Sequence, residues 1–495
     1  MTPLYPLYIN GKFMETKDRQ NILNPSTGKV IAEASIASLK EVELALSSAR
    51  FAFDKGDWPK LALSERRSLI LKVARGILDN AGELAALESA NTGKPIKETT
   101  FMDIPSAAKT FEYIAGSFES FLNSEIVNVP EGSQAALRRE PRGVVVLIVP
   151  WNYPFLIASW KLAFALAAGN SVILKPSSLT PLTTLKLAGI IHDAGLPAGA
   201  VNIINASGPK VGEALCADKR VDMLSFTGSN EVGRQILEYS SQNVKKSIME
   251  LGGKSASLIF GDVDVDTAVN SALCSAFLNQ GQMCTAMSRI FVQDSLYDRF
   301  VASFVKKAKV LKLGPSDNPE TQMGPLISDS QRKKVIAYIE KARTEGAKVL
   351  CGGKIPSGAE LKNGYFFEPT VIAEVKPQMH IFREEVFGPV VLIGKFTDAD
   401  SAVELANFSD FGLASCIWSK DIPFAEQLAK QLNSGTVWIN TYGMFYHQLP
   451  YGGFKQSGFG KELGQAGFLE YTRIKNIITD QSAEGRPLVN YWYGF

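Results

Sequence analysis

Between residues 143 and 226 the chain repeats one unit: a short run of apolar, mostly β-branched residues, then a segment with helical spacing. The apolar runs are GVVVLIVP (143–150), NSVILKP (170–176), VNIIN (201–205) and VDMLSF (221–226), with helical patterns at 159–168, 182–194 and 211–217 between them. Strands covered on both faces read as continuous apolar runs, and strands joined through helices run parallel. The repeat therefore predicts an α/β fold, a doubly wound parallel sheet with helices on both faces. Ligands bind such sheets at the carboxyl ends of the strands. Here those ends read PWNYP (150–154), KPSS (175–178), ASGP (206–209) and FTGSNEVG (226–233).

The rest of the chain fits around that sheet. Alternation about Asn10-Gly11 predicts a hairpin, NPSTG (24–28) a turn, and apolar spacing from 39 to about 120 a set of helices. Residues 122–130 and 135–141 switch to strand-like alternation, as an association element or flap would. After Leu251 a second α/β region begins. Its strands are SASLIF (255–260), RIFVQ (289–293), AKVLCGG (347–353) and FFEPTVI (366–372), with TVWIN (436–440) and RIKNIITD (473–480) in the tail.

Composition excludes several function classes. A net charge of +2 with 21% charged residues gives no nucleic-acid or membrane-surface footprint. The longest apolar runs stop well short of a membrane span, and the first residues show no signal-peptide pattern. Five scattered cysteines without a C-x-x-C pair imply reduced thiols and a cytoplasmic setting. Three histidines leave no zinc-ligand spacing, so no metal site is expected, and the partner base of any nucleophile should be a carboxylate.

Chemistry concentrates at FLNQGQMC (277–284), where Cys284 ends a polar, glycine-containing turn between apolar flanks. Read alone, Cys284 is either a nucleophile, since the thiolate is the strongest side-chain nucleophile near neutral pH, or a small core hydrophobe. The turn Gly228-Ser229 follows a strand and opens a helix, an arrangement that presents free N–H groups to a phosphate. Two look-alikes fail: Gly253-Lys254-Ser255 lacks the earlier glycine of a P-loop, and Gly458-Phe459-Gly460 does not complete a dinucleotide fingerprint.

Seven ordered motifs decide between these readings: PWNYP (150–154), KPS (175–177), FTGSNEVG (226–233), MELGGKS (249–255), FLNQGQMC (277–284), EEVFGPV (384–390) and YGGFKQSG (451–458). In these the chain resembles the NAD(P)-dependent aldehyde dehydrogenase superfamily over essentially its whole length. Within it, the text is most similar to the bacterial betaine-aldehyde and broad-range group. The resemblance implies a Rossmann-like cofactor domain (1–119 and 142–252), a catalytic domain (253–469) and a small β oligomerisation element (120–141 and 470–495). It also implies a homodimer or homotetramer.

By the same resemblance, Cys284 attacks an aldehyde, Asn152 and the Cys284 backbone N–H hold the oxyanion, and Glu250 activates the water that hydrolyses a thioester. NAD or NADP would meet Trp151, Lys175, Ser178, Gly212, Gly228, Ser229, Glu385 and Phe387. Tyr153, Trp160, Phe445 and Tyr446 would line the substrate tunnel, either as an aromatic cage for a quaternary ammonium or as a generic apolar passage. NAD-selective relatives usually carry an acid three positions after the lysine. Ser178 stands there, which opens the site to NADP. A cofactor-independent Cys/Glu acyltransferase would use the same thiol, but leaves FTGS and EEVFGP without a role.

Overall fold

The computed structural model describes residues 2–128 and 133–480. Its first sheet has eight strands in the order Gly458–Phe459, Lys246–Glu250, Met223–Thr227, Val144–Ile148, Ser171–Lys175, Val201–Ile203, Leu7–Ile9 and Lys12–Met14. The five from Lys246–Glu250 to Val201–Ile203 are parallel, and the outer strands pair antiparallel. Val144–Ile148 is buried throughout, as its unbroken apolar run requires. The helix Pro154–Ala167 is almost entirely buried, with Phe155 and Phe164 in a core shared with Phe111 and Phe118 of Ile104–Phe121. A helix apolar on every side has to be covered on every side.

The hairpin about Asn10-Gly11 forms as its sequence demands, with both residues at positive φ (53° and 73°). Elements without a counterpart in the sequence reading include a small sheet of Leu4–Tyr5, Val30–Ser35 and Arg19–Leu23 and the strands Lys246–Glu250, Val390–Phe396 and Ala414–Trp418.

The second sheet has seven strands in the order Lys348–Cys351, Thr370–Ala373, Val390–Phe396, Arg289–Gln293, Ala256–Ile259, Ala414–Trp418 and Thr436–Ile439. All its pairings are parallel except that of Lys348–Cys351. A third sheet joins Thr472–Asp480 to Ser133–Pro141 and Glu125–Asn128, all antiparallel. The remainder of the expected oligomerisation element, 129–132 and 481–495, lies outside the described residues.

The chain does not stay with the second sheet up to 469. Gly458–Phe459 pairs with Met249 and Glu250, and Tyr451, Leu463 and Phe468 enter the first core. This return brings Tyr451 and Glu462 under the site described next.

Candidate active site

The helix Val265–Phe277 runs into a turn in which Asn279 (φ 47°), Gln280 (φ 56°) and Gly281 (φ 69°) are all left-handed. For the two non-glycines this conformation costs on the order of 1 kcal/mol each. Side-chain and backbone hydrogen bonds over-determine it. The Asn279 N–H donates to the Glu98 carboxylate at 3.2 and 3.3 Å, and Asn279 Nδ2 donates to the carbonyls of Asn152 and Gln282. Gln282 Oε1 accepts from the Ile327 N–H at 2.9 Å. Gly281 is obligatory, because a Cβ there would lie 2.2 Å from the Gly388 carbonyl oxygen. The amide-rich text before Cys284 thus satisfies the backbone of a strained turn.

That turn delivers Cys284 to the junction of two cavities. One, of about 290 Å³, is lined by Tyr153, Trp160, Glu250, Met283, Phe445 and Tyr451. The other, of about 470 Å³, is lined by Trp151, Asn152, Lys175, Ser178, Gly228, Ser229, Glu385 and Phe387. Ile157, Thr227, Leu251 and Cys284 line both.

Two expected site residues stand elsewhere. Gly212 lies inside the helix Pro209–Ala217, whereas the larger cavity ends at Gly208, where the loop turns at φ 91°. Tyr446 is 52% exposed and lines neither cavity, since its neighbour Phe445 takes the inward position. The Gly228 N–H is also not free: it donates to the Glu250 carbonyl at 3.0 Å. Ser229 Oγ accepts from the Val232 N–H and caps the helix Asn230–Ser240.

Burial dominates the electrostatics. It pushes the Cys284 thiol up to about 12, so the resting sulfur is protonated, 3.4 Å from the Tyr451 hydroxyl. Glu250 is 3% exposed, and neither carboxyl oxygen has a protein partner. Burial first, and then the charge of Glu462, hold its pKa well above the ordinary carboxylate range. Glu462 itself accepts from Lys161 Nζ at 2.6 Å, and the same ammonium donates to Ser225 Oγ at 2.7 Å. Asn152 Nδ2 donates one hydrogen to the Gln282 carbonyl at 2.9 Å, which fixes the amide beside the Cys284 turn. An amide nitrogen carries two donors, so one remains.

In the larger cavity, burial lowers Lys175 to about 8 and raises Glu385 to about 7. Glu385 Oε1 accepts from the Gly253 N–H at 2.9 Å. Trp151 and Phe387 meet edge-on with centroids 5.3 Å apart. In the smaller cavity, Trp160, Phe445 and Tyr451 form a triangle with centroid separations of 5.7, 5.8 and 5.4 Å. Tyr153 is less available, because Lys94 Nζ sits 4.2 Å from its ring centroid. Tyr451, Glu462 and Lys161 escaped the sequence reading. Tyr451 was legible only as part of the YGGFKQSG motif, and buried charges such as Lys161 leave no mark on periodicity.

Known proteins match this chain over almost its whole length. The model of the aldehyde dehydrogenase family matches residues 13–477. The chain is 44% identical to a betaine aldehyde dehydrogenase of Bacillus subtilis over 490 residues, 98% of this chain and 99% of that one. It is 40% identical to the human mitochondrial aldehyde dehydrogenase over 475 residues, 95% of this chain and 91% of that one. A crystal structure of a Staphylococcus aureus betaine aldehyde dehydrogenase in complex with NAD+ superimposes with a TM-score of 0.96 at 40% identity, covering 98% and 96% of the two chains. With its thiol at the meeting point of two cavities and its sequence matched almost end to end, the chain belongs to the aldehyde dehydrogenase family.

Proposed function

We propose that the protein oxidises betaine aldehyde, or a close quaternary ammonium aldehyde, to its carboxylic acid with NAD(P), through an acyl thioester on Cys284. The observation that carries the reading is Cys284 at the cavity junction, with the Glu250 carboxyl on one side and Lys175 and Glu385 on the other.

The larger cavity fits a dinucleotide: Lys175 and Ser178 suit the adenosine ribose, Glu385 the second ribose, and Trp151 and Phe387 frame flat walls. When bound, the nicotinamide supplies the hydride acceptor. The protein's own groups do the rest. Sγ gives up its proton to solvent and adds as the thiolate to the aldehyde carbon, and the resulting oxyanion is met by the free Nδ2 hydrogen of Asn152 and the Cys284 backbone N–H. Glu250, unpartnered and of raised pKa, takes a proton from the water that cleaves the thioester. The charge of Glu462, which is bonded to Lys161, adds to burial in raising that pKa.

The triangle of Trp160, Phe445 and Tyr451 supports a cationic substrate, since each ring face attracts a quaternary ammonium by about 0.5–2 kcal/mol. A broad-range reading draws on the mouth of the same cavity, where Phe101, Met102 and Met444 are exposed and Lys109 adds a like charge. The two readings separate on kcat/KM for betaine aldehyde against 3,3-dimethylbutanal, its neutral isostere. At least about tenfold preference for the cation is expected, and a Trp160→Ala variant should lose it. Equal turnover of the isostere would establish the broad-range reading instead. The five free cysteines suit a cytoplasmic protein, and the three-stranded sheet of Glu125–Asn128, Ser133–Pro141 and Thr472–Asp480 suits assembly into a dimer or tetramer.

A further inference from the structure

The nucleophile faces an unfavourable field. Its thiolate is opposed by burial and by the charges of Glu250 and Glu385; Tyr153 and Tyr442 are the other ionisable groups near it. None of the leading influences on the sulfur is a lysine, arginine or histidine. What favours the ionised form is hydrogen bonding, from the Thr285 backbone N–H and from the hydroxyl of Tyr451, 3.4 Å from Sγ.

Tyr451 is built to hold that position. Its backbone pairs with Glu462 in both directions, N–H to carbonyl at 2.7 Å and carbonyl to N–H at 2.8 Å. Its ring is wedged edge-on against Trp160 and Phe445, at interplanar angles of 66° and 82°. Gly452 follows, and a Cβ there would lie 2.6 Å from Glu250 Oε1, so the chain passes directly beside the candidate base. Burial, then the neighbouring Cys284 and Glu250, hold the phenol well above its ordinary range. It therefore keeps its proton at neutral pH and can only donate to an ionised sulfur.

We infer that Tyr451 is a further catalytic residue: its hydroxyl donates a hydrogen bond to Cys284 Sγ, fixing the sulfur at the cavity junction and stabilising the thiolate that attacks the aldehyde. The inference rests on Cys284 as the nucleophile. The phenol neither gains nor loses a proton in this role, and the same ring forms one wall of the substrate cavity. Substrate binding and thiol activation thus share one side chain.

The test reads the thiol directly. Iodoacetamide alkylation of the Cys284 peptide is followed by mass spectrometry against pH, in the full-length wild type, in Tyr451→Phe, and in protein with 3-fluorotyrosine at 451. Phenylalanine keeps the ring and its packing but removes the donor. Its inflection should move up by about one unit, with alkylation about tenfold slower at pH 8. Fluorotyrosine, a more acidic and stronger donor, should move the inflection down. Three superimposable profiles would overturn the inference, and so would shifts of the same sign, which would mean that packing rather than donation governs the thiol. Because alkylation does not require turnover, this result is independent of whether Cys284→Ala abolishes aldehyde oxidation, the outcome that decides the nucleophile itself.

Discussion

Two residues set the chemistry that can be read out at neutral pH. The Glu250 carboxyl has a folded pKa above its ordinary value, so at low pH it is protonated and idle as a base. The hydrolytic step should therefore quicken as pH rises, by roughly tenfold per unit below the governing pKa, and a pH profile of kcat measures this. A limb that falls with rising pH over the same range would contradict the assignment. Ser178 sets the second readout. It lines the larger cavity with Lys175, where an acid would repel a 2′-phosphate. Two unit charges about 5 Å apart interact by roughly 3 kcal/mol at an effective dielectric near 20, before screening. Ser178→Glu should lower kcat/KM for NADP relative to NAD by about tenfold to a hundredfold, with measurable NADP turnover in the wild type. Unchanged selectivity in the variant would place cofactor choice on other side chains.

At the scale of elements, the Cys284 turn stands on a buried charge cluster. Lys94 is bonded to Asp103 and to Glu88 (3.4 Å), all fully buried, while the adjacent Glu98 grips the Asn279 N–H. Lys94→Met would strand these carboxyls and should cost about 3–5 kcal/mol in a denaturant titration. Glu98 adds a pH dependence. Its pKa is about 8 in the fold against an ordinary 4.5, raised by burial despite the nearby Lys94. The folded state therefore binds the extra proton. The Glu98 contribution to stability is complete below about 4.5 and is lost as pH rises towards 8. Thermal unfolding of Glu98→Gln between these limits should show a flatter pH slope than the wild type; equal slopes would remove Glu98 as the cause.

None of this cluster is legible in the sequence, where NTGKPIKE (91–98) reads as a polar helix end. The parallel strands between 144 and 226 were legible because double burial forces continuous apolar runs, as in Val144–Ile148. Lys246–Glu250 was not, since its apolar core is only Ile248 and Met249. Cys284, Glu250 and Asn152 were reached through motif order, whereas Tyr451, Glu462 and Lys161 are joined only by tertiary contact. Gly212 and Tyr446 fell outside the cavities because proximity in sequence does not decide which side of a helix or loop faces inward.

At the scale of the molecule, the third sheet carries uncovered apolar side chains. Ile474 and Ile478 on one face of that sheet, and Ile126 and Ile477 on the other, are all exposed in the single chain. Apolar residues exposed on both faces call for a covering partner. Ile474→Glu with Ile478→Glu should shift the protein toward monomer in size-exclusion chromatography with light scattering, and an unchanged mass would move the interface elsewhere. The central claim, that aldehyde oxidation passes through a thioester on Cys284 which Glu250 helps to hydrolyse, is tested most directly by intact-mass spectrometry of Glu250→Gln mixed with betaine aldehyde and NAD. The account predicts one acyl group on Cys284 and a burst of about one reduced cofactor per site, followed by slow turnover. Burst and steady state lost together, with no mass on Cys284, would contradict it.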